Sequence, residues 1–337
     1  MYYIEILKEY KKKFENAKRP FVEAGEDVSK ASLWQAIKFK KKYKFTINEY
    51  FAYRLFEHAN EKPMSFIPNE EVTEVANVLN RYHENSFRFN KVKRYEYYGK
   101  YYKRDLLGVT KENKDKFLEL AQKHEELIIK PIGSFGGNGV KRIKTDNPSE
   151  LYDSLIDEYE GIFVAEEPIK QAQSISKLHP NSVNTLRVPT IRFDDEVVPH
   201  HVAFRCGQGG NIVDNACSGG ILGYVDMKTG EILSACDSNG VSITKHPTTG
   251  EDFVGFKIPR IDEALELAKE LALVYPEYRW VGWDLALTDD GWVMVEGNSH
   301  PQIEIYERAT KTGMYSDFKS YFERLGMLDE FNKIVKR

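Results

Sequence analysis

Cysteine is scarce in this chain: three residues in 337, at positions 206, 217 and 236, with no Cys-x-x-Cys pair. So odd and sparse a set gives no disulfide framework and points to buried or free thiols in a reducing compartment. Long apolar runs are missing as well. No stretch approaches the roughly 20 apolar residues of a membrane-spanning helix. The opening MYYIEILKEYKKKF breaks for a charge every few residues, which does not suit a signal peptide. A cytoplasmic protein is the expectation. Nor is there a dominant charge of one sign. The formal net charge is −4, which excludes a molecule built as a whole to coat nucleic acid. Repeats and low-complexity segments are absent, and 30% charged against 41% hydrophobic residues is an ordinary globular balance.

What is present changes along the chain. Residues 1–85 read as a helical, locally basic N-terminal region, with 13 Lys/Arg against 8 Asp/Glu over residues 1–60. Within it, LWQAIKFKKKYKF sets apolar residues at 33, 34, 37 and 39 against lysines at 38, 40, 41, 42 and 44. This is either a basic face for a membrane surface or another anionic partner, or a solvated helical face. Residues 91–104 interleave five tyrosines with six Lys/Arg, but no RNA- or DNA-binding motif accompanies them. From about residue 115 strands and helices alternate. ELIIKPI and VKRIK flank a glycine-rich loop, as two antiparallel strands would. GIFVAEE (161–167) is a buried strand ending in acids. Strand-like runs follow at 183–193, 196–205, 221–226 and 231–235, then an amphipathic helix over 261–274 and a helical tail from about 315. The fold class is mixed α+β with antiparallel sheets. Parts are expected at 1–85, 86–180 and 181–337.

VGWDLALTDDGWVMVEGNSHP, residues 281–301, reads as a hairpin around Asp-Asp-Gly. A loop centred on Asp290 sets Asp284 opposite Glu296, and strand alternation puts Asn298 on the same face. Trp283, Leu285 and Leu287 are expected on the other face with Val293 and Val295. Three oxygen donors so close repel one another unless a cation lies between them, and a hard divalent ion such as Mg²⁺ suits them. The bland alternative, a solvated acidic face, explains the turn residues Asp289 and Asp290 better than it explains Glu296 and Asn298.

The glycine-rich loop GSFGGNG, with glycines at 133, 136, 137 and 139, follows a strand that ends in Lys130 and Pro131. Gly139 is followed by Val140, so the loop does not end as a P-loop must. Together with a remote Mg²⁺ site it fits a nucleotide pocket of another kind. Lys130 would reach the phosphates, the backbone N–H groups of Gly136, Gly137 and Gly139 would cover them, and Glu166, Glu167 and Ile169 would edge the adenine.

In this order, Lys130 with its glycine loop, then Glu166-Glu167, then Asp284…Glu296-x-Asn298, the chain resembles the ATP-grasp superfamily. Asn90-Lys91 resembles the element that supplies the superfamily's first ATP lysine. More narrowly, FIPNEEVTEVANVLN, SVNTLRVPTIR (182–192), VDNACSGGI (213–221) and WDLALT…VEGNSHP resemble the sugar-transfer-associated ATP-grasp family, over residues 65–310. The resemblance implies an ATP-grasp fold, two α+β subdomains closing on ATP, preceded here by the helical N-terminal region. It implies ATP and Mg²⁺ (two ions) as cofactors. It also implies a ligase that phosphorylates a carboxylate and passes the acyl group to an amine, around surface polysaccharide or capsule biosynthesis. A sugar (uronic) acid and an amino acid or amine are the expected substrates, with a glycosyltransferase or membrane contact through the basic helices and no nucleic acid. Arg187 would neutralise the transferring phosphoryl group or orient the carboxylate, with Arg205 and Asn215 as further candidates. Alternatively Arg187 is a surface arginine on an edge strand. Two departures from the superfamily stand out. KQAQSISKLHP offers no acid for the ribose, leaving a serine or glutamine, and residues 95–102 do not look like a typical helix. A sugar kinase and a non-catalytic nucleotide-binding scaffold are the competing readings.

Overall fold

The computed structural model describes residues 2–57, 65–80, 91–133, 139–210 and 219–336. The N-terminal helices are α1 (Tyr2–Glu23), α2 (Leu33–Tyr43), α3 (Ile47–Ala52), α4 (Asn69–Asn80) and α5 (Lys91–Tyr102). Then follow β1 (Leu106–Thr110), α6 (Lys114–Lys123), β2 (Glu126–Pro131), β3 (Lys141–Lys144), α7 (Pro148–Glu158), β4 (Ile162–Glu166) and α8 (Gln173–Ser176). The third stretch holds β5 (Thr185–Arg192), β6 (Val197–Pro199), β7 (Val202–Cys206), β8 (Ile221–Val225), β9 (Ile232–Cys236), α9 (Ile261–Val274), β10 (Trp280–Thr288) and β11 (Gly291–Asn298). The chain closes with α10 (Glu304–Thr310), α11 (Tyr315–Arg324) and α12 (Leu328–Ile334). The expected run 196–205 is two strands, interrupted at His200-His201.

α1, α2 and α3 cannot bury themselves as isolated helices, and they close around their own aromatic residues. Phe14, Phe21, Phe39, Tyr50 and Phe51 are buried together, with Phe14 and Phe51 edge to face at 5.0 Å. A capping box starts α3: the Glu49 N–H donates to Thr46 Oγ1 at 3.1 Å and the Thr46 N–H to Glu49 Oε2 at 2.7 Å. The free oxygen of Glu49 accepts from the Asn69 N–H at 2.7 Å, tying α3 to the start of α4.

The strands form two antiparallel sheets, ordered β1-β4-β2-β3 and β11-β10-β5-β7-β8-β9, with β6 added to β5. In the smaller sheet, alternation turns Phe163 and Ala165 of β4 and Leu127 and Ile129 of β2 toward α6 and α7. Lys130 and Glu166 therefore stand on the opposite face. In the larger sheet, Leu186, Val188, Phe204, Trp283 and Leu285 pack against α9. The other face of that sheet carries Arg187, Arg205 and Asp284.

α5 corrects one expectation. Residues 95–102 are helical, and Tyr98, Tyr101 and Tyr102, spaced three and four apart, are buried against the larger sheet. They are core rather than a stacking platform. A second correction concerns the hairpin. Leu285 pairs with Met294 but Asp284 pairs with Glu296, so a β-bulge inserts one residue at Val295. Trp292 and Met294, not Val293 and Val295, join Trp283, Leu285 and Leu287 in the core. Val293 lies opposite Ala286 on the other face.

Candidate active site

The densest polar group on the larger sheet forms across three strands. Arg187 of β5 lies opposite Asp284 of β10 in the ladder, and Arg205 of β7 lies opposite Thr185, two residues along β5. All three charged side chains are almost fully buried. Arg187 grips Asp284 with both sides of its fork, through Nε to Oδ1 and Nη2 to Oδ2 at 2.9 Å. Arg205 Nη1 adds a second donor to Oδ2 at 2.7 Å. Burial alone would raise the Asp284 carboxyl, but the charges of Arg187 and Arg205 override it and hold it below the ordinary aspartate value. Arg187 is thus a buried, bidentate residue of an interior strand rather than an edge-strand surface residue. Its Nη1 also donates to the carbonyl of Pro301 and to Gln302 Oε1, both at 3.2 Å.

Glu296 and Asn298 join this group because of the bulge. Asn298 Nδ2 donates to Asp284 Oδ2 at 3.3 Å and to Glu296 Oε1 at 3.2 Å. Asp284 has two arginines, whereas half-buried Glu296 has no ion pair among the described residues. Both Asp284 oxygens are held by arginines, so Glu296 is the uncompensated carboxylate that would draw a hard divalent cation to this group. At the end of the hairpin, Asn80 of α4 fixes the strand position: its Nδ2 donates to the carbonyls of Trp280 and Ser299, and its Oδ1 accepts from the Trp280 N–H.

The smaller sheet supplies a second constellation. Lys130 Nζ reaches Glu166 at 2.8 Å, and Arg104 Nη2 reaches the same carboxylate at 2.7 Å. Tyr95 of α5 donates its hydroxyl to Glu166 as well. Burial would raise Glu166, yet Lys130 and Arg104 pull it down to about 2. Arg104 reaches further: its Nη1 donates to the carbonyl of Met294 in β11 at 2.7 Å. One guanidinium therefore binds a carboxylate of one sheet and a backbone carbonyl of the other. Sequence reasoning passed over Arg104, which stands in a run of lysines and arginines with nothing to mark it as buried.

The remaining expected residues are distributed as follows. Glu167 Oε2 accepts from the Asp105 N–H at 3.2 Å, and Ile169 is half-buried in the loop after β4. Gly139 adopts φ +73°, with its carbonyl accepting from Tyr159 Oη at 3.1 Å. Gly136, Gly137 and Asn215 lie outside the described residues, and of Lys91 the backbone alone belongs to them, at the first turn of α5. Gln171, a candidate for the ribose, has its amide engaged by Asn184: Nε2 donates to the Asn184 carbonyl at 2.6 Å and Oε1 accepts from the Asn184 N–H at 3.2 Å. Asp105, His124 and Glu167 also bring one potential ligand atom each within 4.8 Å. Lys123 already pairs with Asp105, and His124 Nε2 lies 2.8 Å from the same oxygen, so that group needs no cation to be stable.

Two antiparallel sheets, one bearing a lysine–acid pair and the other an arginine–carboxylate–asparagine cluster, define an ATP-grasp fold. The model of the sugar-transfer associated ATP-grasp family matches residues 96–321, and the chain belongs to that family. Similar solved structures include carboxyaminoimidazole ribonucleotide synthase of Aspergillus clavatus complexed with ATP, at 15% identity over 63% of this chain and 44% of that one, TM-score 0.39. D-alanyl-alanine synthetase A of Vibrio cholerae shares 12% identity over 71% and 66%, TM-score 0.41. The D-alanine–D-alanine ligase of Helicobacter pylori shares 16% over 77% and 69%, TM-score 0.44. The chain thus spans 44% and 66% of the length of the first two. No curated protein sequence matches it at a significant level.

Proposed function

We propose that the protein is an ATP- and Mg²⁺-dependent, ADP-forming ligase joining a carboxylate to an amine. The observation that carries this reading is the single face of the larger sheet on which Arg187, Arg205, Asp284, Glu296 and Asn298 meet. Asp284, Glu296 and Asn298 would hold two Mg²⁺ ions, which supply charge neutralisation between the β- and γ-phosphates. Lys130 would bind phosphate oxygens, the loop containing Gly136, Gly137 and Gly139 would cover them with N–H groups, and Lys91 would add a cation. Glu166, Glu167 and Ile169 would edge the adenine. Arg187 and Arg205, fixed by Asp284, would orient the acceptor carboxylate, with Asn215 beside them. The carboxylate oxygen attacks the γ-phosphorus and ADP leaves. The amine then attacks the acyl carbon and expels phosphate, giving an amide.

The family is named for sugar transfer, which supports a sugar (uronic) acid as the carboxylate and an amino acid or amine as its partner, in surface polysaccharide or capsule biosynthesis in the cytoplasm. Residues 86–180 would carry the nucleotide, 181–337 the metal and acceptor, and 1–85 a docking function toward a membrane or glycosyltransferase.

The test is product analysis of Mg²⁺-dependent ATP turnover on pools of uronic acids and amines, with hydroxylamine as a trap. The ligase gives ADP with an amide or a hydroxamate, and Glu296→Gln is expected to lower turnover by roughly 10²–10³. ADP with a stable phosphorylated sugar and no hydroxamate identifies a kinase instead. Full ligation by Glu296→Gln would overturn the site assignment.

A further inference from the structure

Helix α2 has one side buried against α1 and α3, through Ala36 and Phe39 with Tyr43 packed beside them. At 3.6 residues per turn, Trp34, Lys38 and Lys41 fall directly opposite that side and form the outermost ridge of the helix. Trp34 is 68% exposed, the highest value among the exposed large hydrophobic residues described. The chain's three other tryptophans, at 280, 283 and 292, are buried. Between Asp27 and Glu49 the sequence places six lysines and no acid. Lys44 pairs with Glu70 at 3.1 Å, and Lys40 lies over the Tyr10 ring at 5.2 Å. Lys38 and Lys41 are exposed and have no ion pair among the described residues.

On α1, Lys13 is matched by Glu9 one turn earlier, at 2.6 Å, and four acids share that helix with its six cations. α2 has no such compensation, and it spends its largest side chain on water. An indole held among unpaired ammonium groups suits one environment well. Its apolar ring and N–H both find partners at the depth of lipid headgroups, while the lysines meet the phosphates around it.

We propose that the outer ridge of α2, Trp34 with Lys38 and Lys41, docks the protein on an anionic lipid surface. Lys42, a flank position of the same ridge, adds to the charge. α2 contributes no residue to the two catalytic constellations, so this surface works whichever reaction the sheets carry out.

The experiment is co-sedimentation of the full chain with phosphatidylcholine vesicles, with and without phosphatidylglycerol, read alongside tryptophan emission. Because only Trp34 is exposed, a blue shift on vesicle addition reports that residue. Binding and a blue shift are expected with the anionic vesicles alone, falling as salt rises. Lys38→Ala and Lys41→Ala are each expected to weaken partition about five-fold, and Trp34→Ala to remove the blue shift, with far-UV circular dichroism unchanged. No association with anionic vesicles, equal association with neutral ones, or indifference to the lysine substitutions overturns the proposal. Binding of a single-stranded RNA oligonucleotide by protein that leaves the vesicles alone also overturns it, in favour of a nucleic-acid surface.

Discussion

Around Glu166 a single buried carboxylate serves Lys130, Arg104 and Tyr95 at once. Its native carboxyl sits at about 2, against an ordinary value of 4.5. A depressed carboxyl stabilises the fold fully above about 4.5 and loses that contribution as pH falls toward 2. The shift corresponds to stability on the order of 3 kcal/mol. Glu166→Gln is therefore expected to cost about that much at pH 6 to 7, where it also strands two cations. In acid the difference from the unsubstituted protein should vanish by about pH 2. Urea titrations of both proteins across this range measure it, and a gap that persisted at pH 2 would show that packing rather than charge dominates. At this scale the strands that carry Lys130 and Glu166 are legible from their apolar runs, but the direct pairing of the two side chains is not. Nor is Arg104. Arginine and lysine on a solvated face read identically to a buried arginine until the carboxylate it meets is known, and Glu166 is 62 residues away.

Among the elements, the β10–β11 hairpin turns on one inserted residue. In an unbroken ladder Trp292, Met294, Glu296 and Asn298 would share a face, and that face is the core. The bulge at Val295 reverses the last two, so Glu296 and Asn298 meet Asp284 while Gly297 lies over Trp283. Glycine is required there: a Cβ on Gly297 would come within 2.7 Å of Trp283 Cζ3. Deleting Val295 is expected to drive Glu296 toward the core. Mg²⁺-dependent ATP binding should be lost, and stability should fall by several kcal/mol because an unpaired carboxylate becomes buried. Calorimetric titration with Mg-ATP and thermal unfolding check the two parts. Retained nucleotide binding would mean that the register had re-formed around another bulge. The pairing of Asp284 with Glu296 was legible from the turn, but for a compensating reason. The tight turn at Asp289-Asp290 has its centre half a residue earlier than Asp290, and the bulge restores the offset on one side only. Strict alternation places Val293 and Val295 on the core face, and the structure puts Trp292 and Met294 there instead, since alternation has no means of announcing an extra residue. The helical reading of α9 matched to the residue, because its apolar stripe is uninterrupted. α5 was missed because tyrosine is ambiguous between a surface and a core.

Over the whole molecule, the N-terminal helices are fastened to the C-terminal part by α10. Glu307 Oε1 accepts from the Ile67 N–H at 3.3 Å and the Met314 N–H at 3.0 Å. Lys311 Nζ donates to the carbonyls of Ala52, at 3.0 Å, and Gly240. The segments run so close that a Cβ on Gly313 would lie 2.0 Å from the Ser65 carbonyl oxygen. None of this was visible in sequence, since Glu307 and Lys311 reach backbone groups of Ile67 and Ala52 that lie 240 and 259 residues away. Glu307 is fully buried, and its Oε2 has no hydrogen-bond partner among the described residues. Burial, then the carboxylates of Glu304 and Glu49, push its carboxyl well above the ordinary value. A raised acid imposes nothing below about pH 4.5, where native and unfolded chains are both protonated. As pH rises the unfolded chain ionises first, and stability drains away by up to about 1.4 kcal/mol per pH unit until the native carboxyl ionises too. Glu307→Gln keeps an oxygen for Ile67 and Met314 but never ionises. It is expected to match the unsubstituted protein at pH 4 and to be more stable by at least about 1 kcal/mol at pH 7, the gap opening steadily in between. Denaturant unfolding at a series of pH values measures this directly. A gap of constant size would show that the Glu307 carboxyl titrates alike in the native and unfolded chains. A loss of stability at pH 7 would show that its charge holds the two parts of the molecule together.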